Sequence, residues 1–340
     1  MNDQAIARVA LVGLGPIGVE VARAVLGRPG IEVLGAADPA PEKAGKDLRA
    51  LLQTGGGDAP FPIASSAREL YARSASTRGR RDVVLLCTGS RLESVAPQIE
   101  EAIAAGLHVV STCEELSFPD LRHAGLARTL DAKAKERGVA VLGTGVNPGL
   151  VMDRLALAAA GGCVSVEKVK VTRVVDAAKR RGPLRAKVGA GLSREEFERG
   201  VADGKLGHVG LSESAAMIAV GLGLPIEDIF ETIEPVLAVH ETEGVAEGRV
   251  LGLHQIARVH AAEEVKVELD LTMAVGVAEA FDRIEIQGDP PVNLTVTGGF
   301  HGDRATVGCV VNAIPFIVAS PPGVQTVVTI PLFGLLPQKS

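Results

Sequence analysis

The chain has 340 residues, a net charge of −6 and 46% hydrophobic residues, but only 3% aromatic residues. A negatively charged chain repels a phosphate backbone, and scarce aromatic side chains leave few surfaces for base stacking, so these numbers argue against nucleic acid as a partner. The four cysteines show no CxxC spacing, and no His, Asp or Glu grouping has metal-site spacing, so we expect neither disulfides nor a bound metal. The first residues do not look like a signal peptide, and no charge-free apolar run has membrane-spanning length, which favours a cytoplasmic enzyme without membrane contact.

Apolar runs alternate with helical patterns through the first 145 residues. The runs are continuously apolar, which is typical of parallel strands covered by helices on both faces. We therefore predict an α/β fold whose N-terminal part is a Rossmann-type, doubly wound parallel sheet. The predicted strands are 7–13, 31–38, 80–89, 107–111 and 139–145, and the predicted helices are 16–27, 92–106 and 119–138.

The pattern changes after residue 153. Residues 164–175 alternate between apolar and polar side chains, which is typical of an antiparallel strand, and helical patterns follow at 193–203 and 210–222. Together with the strand-like runs that come next, this predicts a second, α+β domain with a mixed or antiparallel sheet. Those runs are 232–243, 248–261, 263–275 and 283–288, and a last helical pattern covers 303–320. The predicted boundaries are 1–145, completed by about 303–340, for the first domain and 146–302 for the second.

A glycine-rich motif, VALVGLGPIG, joins the first predicted strand to the first predicted helix. Gly13 permits a tight turn, Gly15 lets a pyrophosphate approach the backbone, and Gly18 lets the helix pack closely on the strand. Because the motif follows a strand and opens a helix, it predicts dinucleotide binding, with the helix N-terminus facing the phosphates. A glycine-rich turn without a ligand is the alternative. The predicted cofactor contacts are Gly13, Gly15, Pro16, Ile17 and Gly18.

An acid ends the second predicted strand, 20 residues after the last glycine of the motif. The carboxylate of Asp38 can accept a hydrogen bond from the ribose 2′-OH and would repel a 2′-phosphate, so NAD(H) is favoured. Lys43 and Lys46 lie near enough in the sequence to support NADP(H), which therefore stays possible.

The third predicted strand ends in CTGS, residues 87–90. Ligands bind outside the carboxyl ends of parallel strands, so Thr88, Gly89 and Ser90 are predicted to line the cofactor. The alternative is that Ser90 only caps the following helix.

Two adjacent carboxylates, Glu114 and Glu115, follow the fourth predicted strand at the same edge of the sheet. Both fit the capping-box spacing with the residues three positions earlier. Pro119 suits the first turn of the next helix, however, which leaves residues 112–118 as a loop. The two acids are then either solvated charges, or one of them handles a proton beside a nicotinamide.

These motifs, with GVNPG, VVDAAKRRGPL and VVNAIP, resemble the 2,4-diaminopentanoate dehydrogenase family over nearly the whole chain. The resemblance implies an NAD(P)-dependent enzyme that oxidises an amine carbon and releases ammonia, or that aminates a ketone reductively with ammonia. It implies a homodimer whose first domain binds the dinucleotide and whose second domain binds substrate and forms the dimer. It also implies that a glutamate of TCEEL deprotonates the amine, and we favour Glu114 over Glu115.

Hydride transfer from an amine needs a neutral amine, because an ammonium has no lone pair to stabilise the developing iminium. A base must remove the proton, and a partly buried Glu with a raised pKa suits this task. A dihydrodipicolinate-reductase-like enzyme is an alternative, but the chain lacks the His-His pair of those enzymes. A homoserine-dehydrogenase-like enzyme would carry Lys where Glu114 stands. A dinucleotide-binding sensor without turnover is the alternative from another class.

Three further candidates follow the fifth predicted strand, and a fourth lies in the second domain. Thr144, Asn147 and Pro148 are predicted to contact the substrate, and a turn dictated by Asn-Pro-Gly alone is the alternative. His208, in GHVGLSES, is a further predicted substrate contact, with a surface or capping role as its alternative.

Two polar features lie in the second half of the chain. Asn312 sits in an apolar helical pattern, so its amide must find a partner, either the nicotinamide carboxamide or a structural group. The basic cluster at 179–187 could bind a substrate carboxylate or could be a solvated loop.

Overall fold

The computed structural model describes residues 6–54, 61–74, 82–178, 182–331 and 334–336. The chain forms two compact units, and the first of them is discontinuous in sequence. The first unit is Met1–Leu150 together with Gly302–Ser340, and the second unit is Val151–His301.

The first unit contains a sheet of six parallel strands. Numbered in chain order through both units, these strands are β1 (Ala7–Val12), β2 (Ile31–Ala37), β3 (Asp82–Leu86), β4 (His108–Ser111), β5 (Ala140–Gly143) and β12 (Gly323–Gln325). Their order in the sheet is β12-β5-β4-β3-β1-β2. Since all six run in one direction, the loops that follow them meet at one edge of the sheet, where such folds bind their ligands.

The helices of this unit are α1 (Pro16–Val25), α2 (Leu48–Leu52), α3 (Ala67–Ser74), α4 (Leu92–Ala104), α5 (Asp120–Arg137), α10 (Gly302–Asn312) and α11 (Ile314–Ala319), again numbered through both units. They cover both faces of the sheet. One face packs against α1, α10 and α11, and the other packs against α3, α4 and α5. Along β1, Val9 and Leu11 enter the first layer while Ala10 and Val12 enter the second, which is why the strand is apolar at successive positions. The predicted doubly wound, Rossmann-type sheet is therefore confirmed.

The predicted helix at 303–320 is two helices in the structure. They are separated at Ala313, because Pro315 lacks a backbone N–H and is tolerated only in the first turn of α11. Together they form a segment, Gly302–Ala319, that could pass as a membrane span by length and composition. Val310, Ile314 and Ile317 of this segment are fully buried in the core of the first unit, which accounts for its apolar character.

The second unit contains a mixed sheet of six strands, β6 (Ser165–Asp176), β7 (Asp228–Leu237), β8 (Val250–Ala261), β9 (Glu264–Ala274), β10 (Phe281–Asp289) and β11 (Val292–Thr297). Their order in the sheet is β11-β10-β6-β9-β8-β7. Only β6 and β9 pair in parallel, and the other neighbours are antiparallel, so the prediction of a mixed or antiparallel sheet is confirmed. The helices of this unit are α6 (Arg154–Ala160), α7 (Gly182–Lys187), α8 (Arg194–Ala202) and α9 (Leu211–Gly221).

The two faces of this sheet differ in character. Val267, Leu269 and Leu271 of β9 point to one face and are buried, while Glu268 and Asp270, between them, are half-buried on the other. Cross-strand ion pairs line the half-buried face, with N–O distances of 3.0 Å for Lys170–Glu268 and 2.8 Å for Arg258–Glu268. On the same face, Nε2 of His254 lies 2.9 Å from Oδ1 of Asp270. The polar alternation in the sequence therefore reflects a sheet with one apolar and one charged face.

Candidate active site

The glycine-rich loop is shaped so closely that side chains would not fit at two of its positions. Gly13 has a φ of +85°, and a Cβ there would lie 2.6 Å from the carbonyl oxygen of Cys87. A Cβ on Gly18 would lie 1.8 Å from the carbonyl oxygen of Gly13. At Gly15, by contrast, nothing lies within 4 Å of an added Cβ, so the space beside this backbone is open.

This open space lies at the start of α1. Gly15 is the N-cap residue without a side-chain cap, and Pro16 occupies the first turn, followed by Ile17. The first-turn amides of a helix have no partners within the helix, and they attract anions. The loop therefore fits the pyrophosphate of a dinucleotide, with the backbone around Gly15 as the point of closest approach.

The carboxylate of Asp38 is hydrogen-bonded directly to the glycine-rich loop. Its Oδ2 accepts a hydrogen bond of 2.7 Å from the backbone N–H of Leu14, and its Oδ1 accepts one of 2.9 Å from that of Ala40. Lys43 Nζ lies 3.1 Å from Oδ2. Burial alone would raise the pKa of this carboxyl, but the two backbone N–H groups and the Lys43 ammonium hold its pKa below the usual range, so Asp38 is ionised.

The segment after β3 takes part in a second set of contacts. The hydroxyl of Thr88 donates a hydrogen bond of 2.6 Å to Oε1 of Gln98. The capping role considered for Ser90 is wrong, since Arg91 is the N-cap of α4 and no side chain of the N-cap residue bonds the helix. The carbonyl of Ser90 instead accepts a hydrogen bond of 3.3 Å from the backbone N–H of Glu115, so this segment is tied to the acidic one.

The acidic segment is not the loop predicted at 112–118. Glu114–Ser117 form a single 3-10 turn, and α5 begins at Asp120 with Pro119 as its N-cap. The turn packs directly on the end of β5, because a Cβ on Gly143 would lie 2.6 Å from the backbone N of Ser117. The two acids therefore stand on a short, packed turn at the carboxyl edge of the parallel sheet.

Glu115 is 3% exposed and fully engaged. Its Oε1 accepts a hydrogen bond of 2.8 Å from Arg91, and its Oε2 accepts one of 2.7 Å from the backbone N–H of Leu92. The Nε2 of His123 lies 3.0 Å from the same Oε2. Burial would raise the pKa of this carboxyl, but these partners lower it below the usual range. The expectation of a raised pKa is wrong for Glu115, because charged and backbone donors outweigh desolvation.

Glu114 stands next to Glu115 on the same turn but is only half-buried. The turn thus separates the two acids into a buried one that holds neighbouring elements together and a more accessible one. Arg91 and His123 share neither a motif nor a helical spacing with the two acids, so the sequence alone does not predict their contacts.

Thr144 and Asn147 follow β5 and are buried, at 2% and 7% exposure. The hydroxyl of Thr144 has no hydrogen-bond partner among the residues that the structure describes. The Asn147–Pro148 peptide is cis, and Gly149 completes the turn with a φ of +127°. The turn that Asn-Pro-Gly predicts is present, and the Thr144 hydroxyl is a buried polar group whose partner is not among the described residues.

The last candidates have structural partners. Oδ1 of Asn312 accepts a hydrogen bond of 2.9 Å from the backbone N–H of Leu336, which is the structural alternative for this amide. His208 lies in the second unit, where its backbone N–H and carbonyl are both bonded to the side chain of Gln255, each at 2.8 Å. Of the basic cluster, residues 179–181 lie outside the described part of the chain, and Arg185 contacts the carbonyl of Glu243 at 3.5 Å.

Comparison with known proteins identifies the family. A family model described as the 2,4-diaminopentanoate dehydrogenase C-terminal domain matches residues 150–338. A curated 2,4-diaminopentanoate dehydrogenase from Acetoanaerobium sticklandii is 32% identical over 337 residues, which cover 96% of this chain and 93% of the relative. The chain belongs to the 2,4-diaminopentanoate dehydrogenase family. The resemblance predicted from the motifs is thereby confirmed.

Solved structures share the fold of this family member. An amine dehydrogenase from Mycobacterium smegmatis superposes with a TM-score of 0.83 over 100% of both chains, at 23% identity. A probable dehydrogenase from Thermotoga maritima gives a TM-score of 0.56 at 14% identity and covers 94% of this chain and 91% of its own. The predicted two-domain dehydrogenase fold is confirmed. At the level of the family, so is the prediction of an NAD(P)-dependent oxidoreductase that acts on a small amine.

Proposed function

We propose that this chain catalyses the NAD(P)-dependent oxidative deamination of a diamino acid of the 2,4-diaminopentanoate type, and the reverse reductive amination with ammonia. The observation that carries the proposal is the pairing, in one unit, of a glycine loop shaped for a pyrophosphate with a packed acidic turn at the same sheet edge. The curated relative, named for 2,4-diaminopentanoate, supports this substrate class.

The reaction needs a proton acceptor for the amine. The ammonium form loses a proton to the enzyme, the C–H carbon then loses hydride, and the resulting iminium adds water and releases ammonia to leave a ketone. Bound NAD(P)+ supplies the hydride acceptor, and the protein supplies position and electrostatics.

We assign the proton acceptor to Glu114. Glu115 is engaged by Arg91, His123 and a helix amide, and these donors hold it in the ionised state without leaving it accessible. Glu114 is half-buried on the same turn, an environment that combines access to a ligand with partial exclusion of water. Glu115 is the alternative base, and substituting the two acids separately distinguishes between them.

The other site residues are proposed as follows. Gly13, Gly15 and Gly18, with Pro16 and Ile17, cradle the pyrophosphate; Asp38 binds the ribose; and Thr88, Gly89 and Ser90 line the cofactor at the end of β3. We propose that the buried Thr144 hydroxyl and the Asn147 amide meet the substrate or the nicotinamide, beside Pro148. His208 is retained as a candidate substrate contact, and the bond from Leu336 makes a cofactor contact by Asn312 the weaker assignment.

A substrate screen tests the proposed function. We expect NAD(P)H formation from 2,4-diaminopentanoate, and NAD(P)H consumption with the matching ketone only when ammonia is present. Simple alkylamines and dihydrodipicolinate, measured in the same assay by NAD(P)H absorbance, define the limits of the substrate class. Activity on dihydrodipicolinate alone would contradict the amine proposal, and tight NADH binding without any turnover would favour a sensor.

We propose NAD(H) as the preferred cofactor and Lys43 as the residue that permits NADP(H). The carboxylate of Asp38 repels a 2′-phosphate. Lys43 Nζ lies 3.1 Å from Asp38 Oδ2, and its positive charge offsets that of the carboxylate. Lys43→Ala is expected to lower kcat/KM with NADPH by about tenfold, about 1.4 kcal/mol, while kcat/KM with NADH changes less than about twofold. Steady-state kinetics with both cofactors measures the ratio.

Lys46→Ala is the matched control, because Lys46 is an exposed lysine of the same segment, whereas the ion pair to Asp38 among the described residues comes from Lys43. Its ratio of NADPH to NADH use is expected to stay at the parent value. An equal loss with both cofactors in Lys43→Ala would assign Lys43 to the stability of the loop rather than to cofactor choice.

We also propose that the chain works as a cytoplasmic homodimer. C2 homodimers are the commonest soluble oligomers, which agrees with the homodimer that the family resemblance implies.

A further inference from the structure

Glu115 joins three separate elements of the first unit. It lies in the 3-10 turn, while its carboxylate bonds Arg91 and Leu92 at the start of α4 and contacts His123 in α5. All of these contacts are between 2.7 and 3.0 Å. A single buried carboxylate thus fixes the turn against the two helices on either side of it.

His123 is brought to this carboxylate by a break in α5. The residue has φ −131° and ψ 42°, which are not helical, although the helix continues beyond it. Its ring is 17% exposed and lies between two acids, with Nε2 3.0 Å from Glu115 and Nδ1 3.8 Å from Glu93. His123 is the residue of α5 that contacts Glu115, and it is also the residue at which the helix is interrupted. The backbone geometry of α5 is therefore linked to the acidic turn.

The network also reaches the strand end predicted to line the cofactor. Arg91 and Leu92 directly follow Thr88–Ser90, and the carbonyl of Ser90 accepts hydrogen bonds of 3.3 Å from Glu115 N–H and from the Cys113 thiol. The side chain and the backbone of Glu115 therefore both bind the segment after β3. Any shift of Glu115 would move the adjacent Glu114 relative to that segment.

We propose that Arg91, Glu115 and His123 form a positioning network that holds Glu114 in place for proton transfer, and that Glu115 is not itself the base. This inference rests on the proposed function, in which Glu114 accepts the proton. The network acts through Glu114, because misplacing a catalytic group by about 1 Å can cost up to 100-fold in rate.

Conservative variants of the network give the first test. His123→Asn and Glu115→Gln are each expected to lower kcat about tenfold. The NADH dissociation constant should stay within about twofold, because the glycine loop is untouched. Glu115→Gln keeps an oxygen that can accept the hydrogen bond from the backbone N–H of Leu92. If it does not fold, His123→Asn decides the matter, since it leaves Glu115 bonded to Arg91 and Leu92. Glu136→Gln is the control, because Glu136 is an exposed acid near the other end of α5, and its rate should be unchanged.

A double-variant comparison separates positioning from an independent effect. In a Glu114→Gln background, His123→Asn should lower the residual rate no further, because the network has no base left to position. If the rate losses of the two substitutions instead multiply in the double variant, the proposal is overturned. Formate should restore part of the activity of Glu114→Ala but none of that of Glu115→Ala, since only the former lacks a base. Rescue of Glu115→Ala would make Glu115 the base.

The outcomes distinguish this inference from the proposed function. Full activity in Glu114→Gln would remove Glu114 as the base and leave the function itself to the substrate screen. A loss in Glu114→Gln, together with full activity in His123→Asn and Glu115→Gln, would overturn the positioning network alone.

Discussion

Glu114→Gln is expected to lower kcat for amine oxidation by at least about 100-fold, the lower range for loss of a general base. Gln keeps the size and hydrogen-bonding capacity of the side chain but cannot take the proton of the ammonium. The NADH dissociation constant and the melting temperature should stay close to the parent values, because Glu114 is half-buried and belongs to neither the glycine loop nor the contacts of Glu115. Initial rates, NADH fluorescence titration and thermal unfolding measure the three quantities.

Asp120→Asn is the matched control for this change. Asp120 is an exposed acid in the first turn of α5, a few residues from the acidic turn. Its substitution therefore removes the same negative charge close to the proposed base. Its kcat should stay within about twofold of the parent. Should Glu114→Gln keep more than a tenth of the parent rate, the proton acceptor lies elsewhere.

Gly18→Ala is expected to weaken both the fold and cofactor binding. The added Cβ would lie 1.8 Å from the carbonyl oxygen of Gly13, a backbone atom that can move only if α1 and the loop separate. Overpacking of this kind costs about 1–3 kcal/mol of unfolding free energy. Since the displaced loop is the proposed pyrophosphate cradle, the NADH dissociation constant should rise at least about tenfold, or about 1.4 kcal/mol.

Two further glycines separate these effects. Gly15→Ala has no neighbour within 4 Å and a φ of −65°, so it should leave the unfolding free energy nearly unchanged while it blocks the approach of the pyrophosphate. Gly125→Ala also meets nothing within 4 Å, but it lies in α5, away from the loop, and should not affect NADH binding. Unaltered NADH binding in Gly15→Ala would contradict the proposed cradle.

The parts of the site that depend on local sequence could be predicted. The glycine spacing and Asp38 are such features, because a strand, a tight turn and a helix start dictate them over a short stretch of chain. The layers of the sheet follow equally from continuous apolar strands such as β1. Pro315 indicates the break between α10 and α11, but the apolar pattern on both sides of it favours one continuous helix.

Contacts between distant residues could not be predicted in the same way. Arg91 and His123 lie 24 and 8 residues from Glu115, with no periodicity that relates them. For that reason the sequence favoured a raised pKa, from burial alone, where the structure has donors that lower it. The partner of Asn312, likewise, is 24 residues away at Leu336.

The discontinuity of the first unit has a consequence for synthesis of the chain. Translation delivers β1 to β5 first, but their layer of α10 and α11 and the edge strand β12 follow only after the whole second unit. Until then, the edge of β5 and an apolar sheet face are without their final cover, a state prone to wrong association. The parallel sheet of the first unit is therefore completed last during synthesis, and truncation before residue 302 would remove α10, α11 and β12 from it.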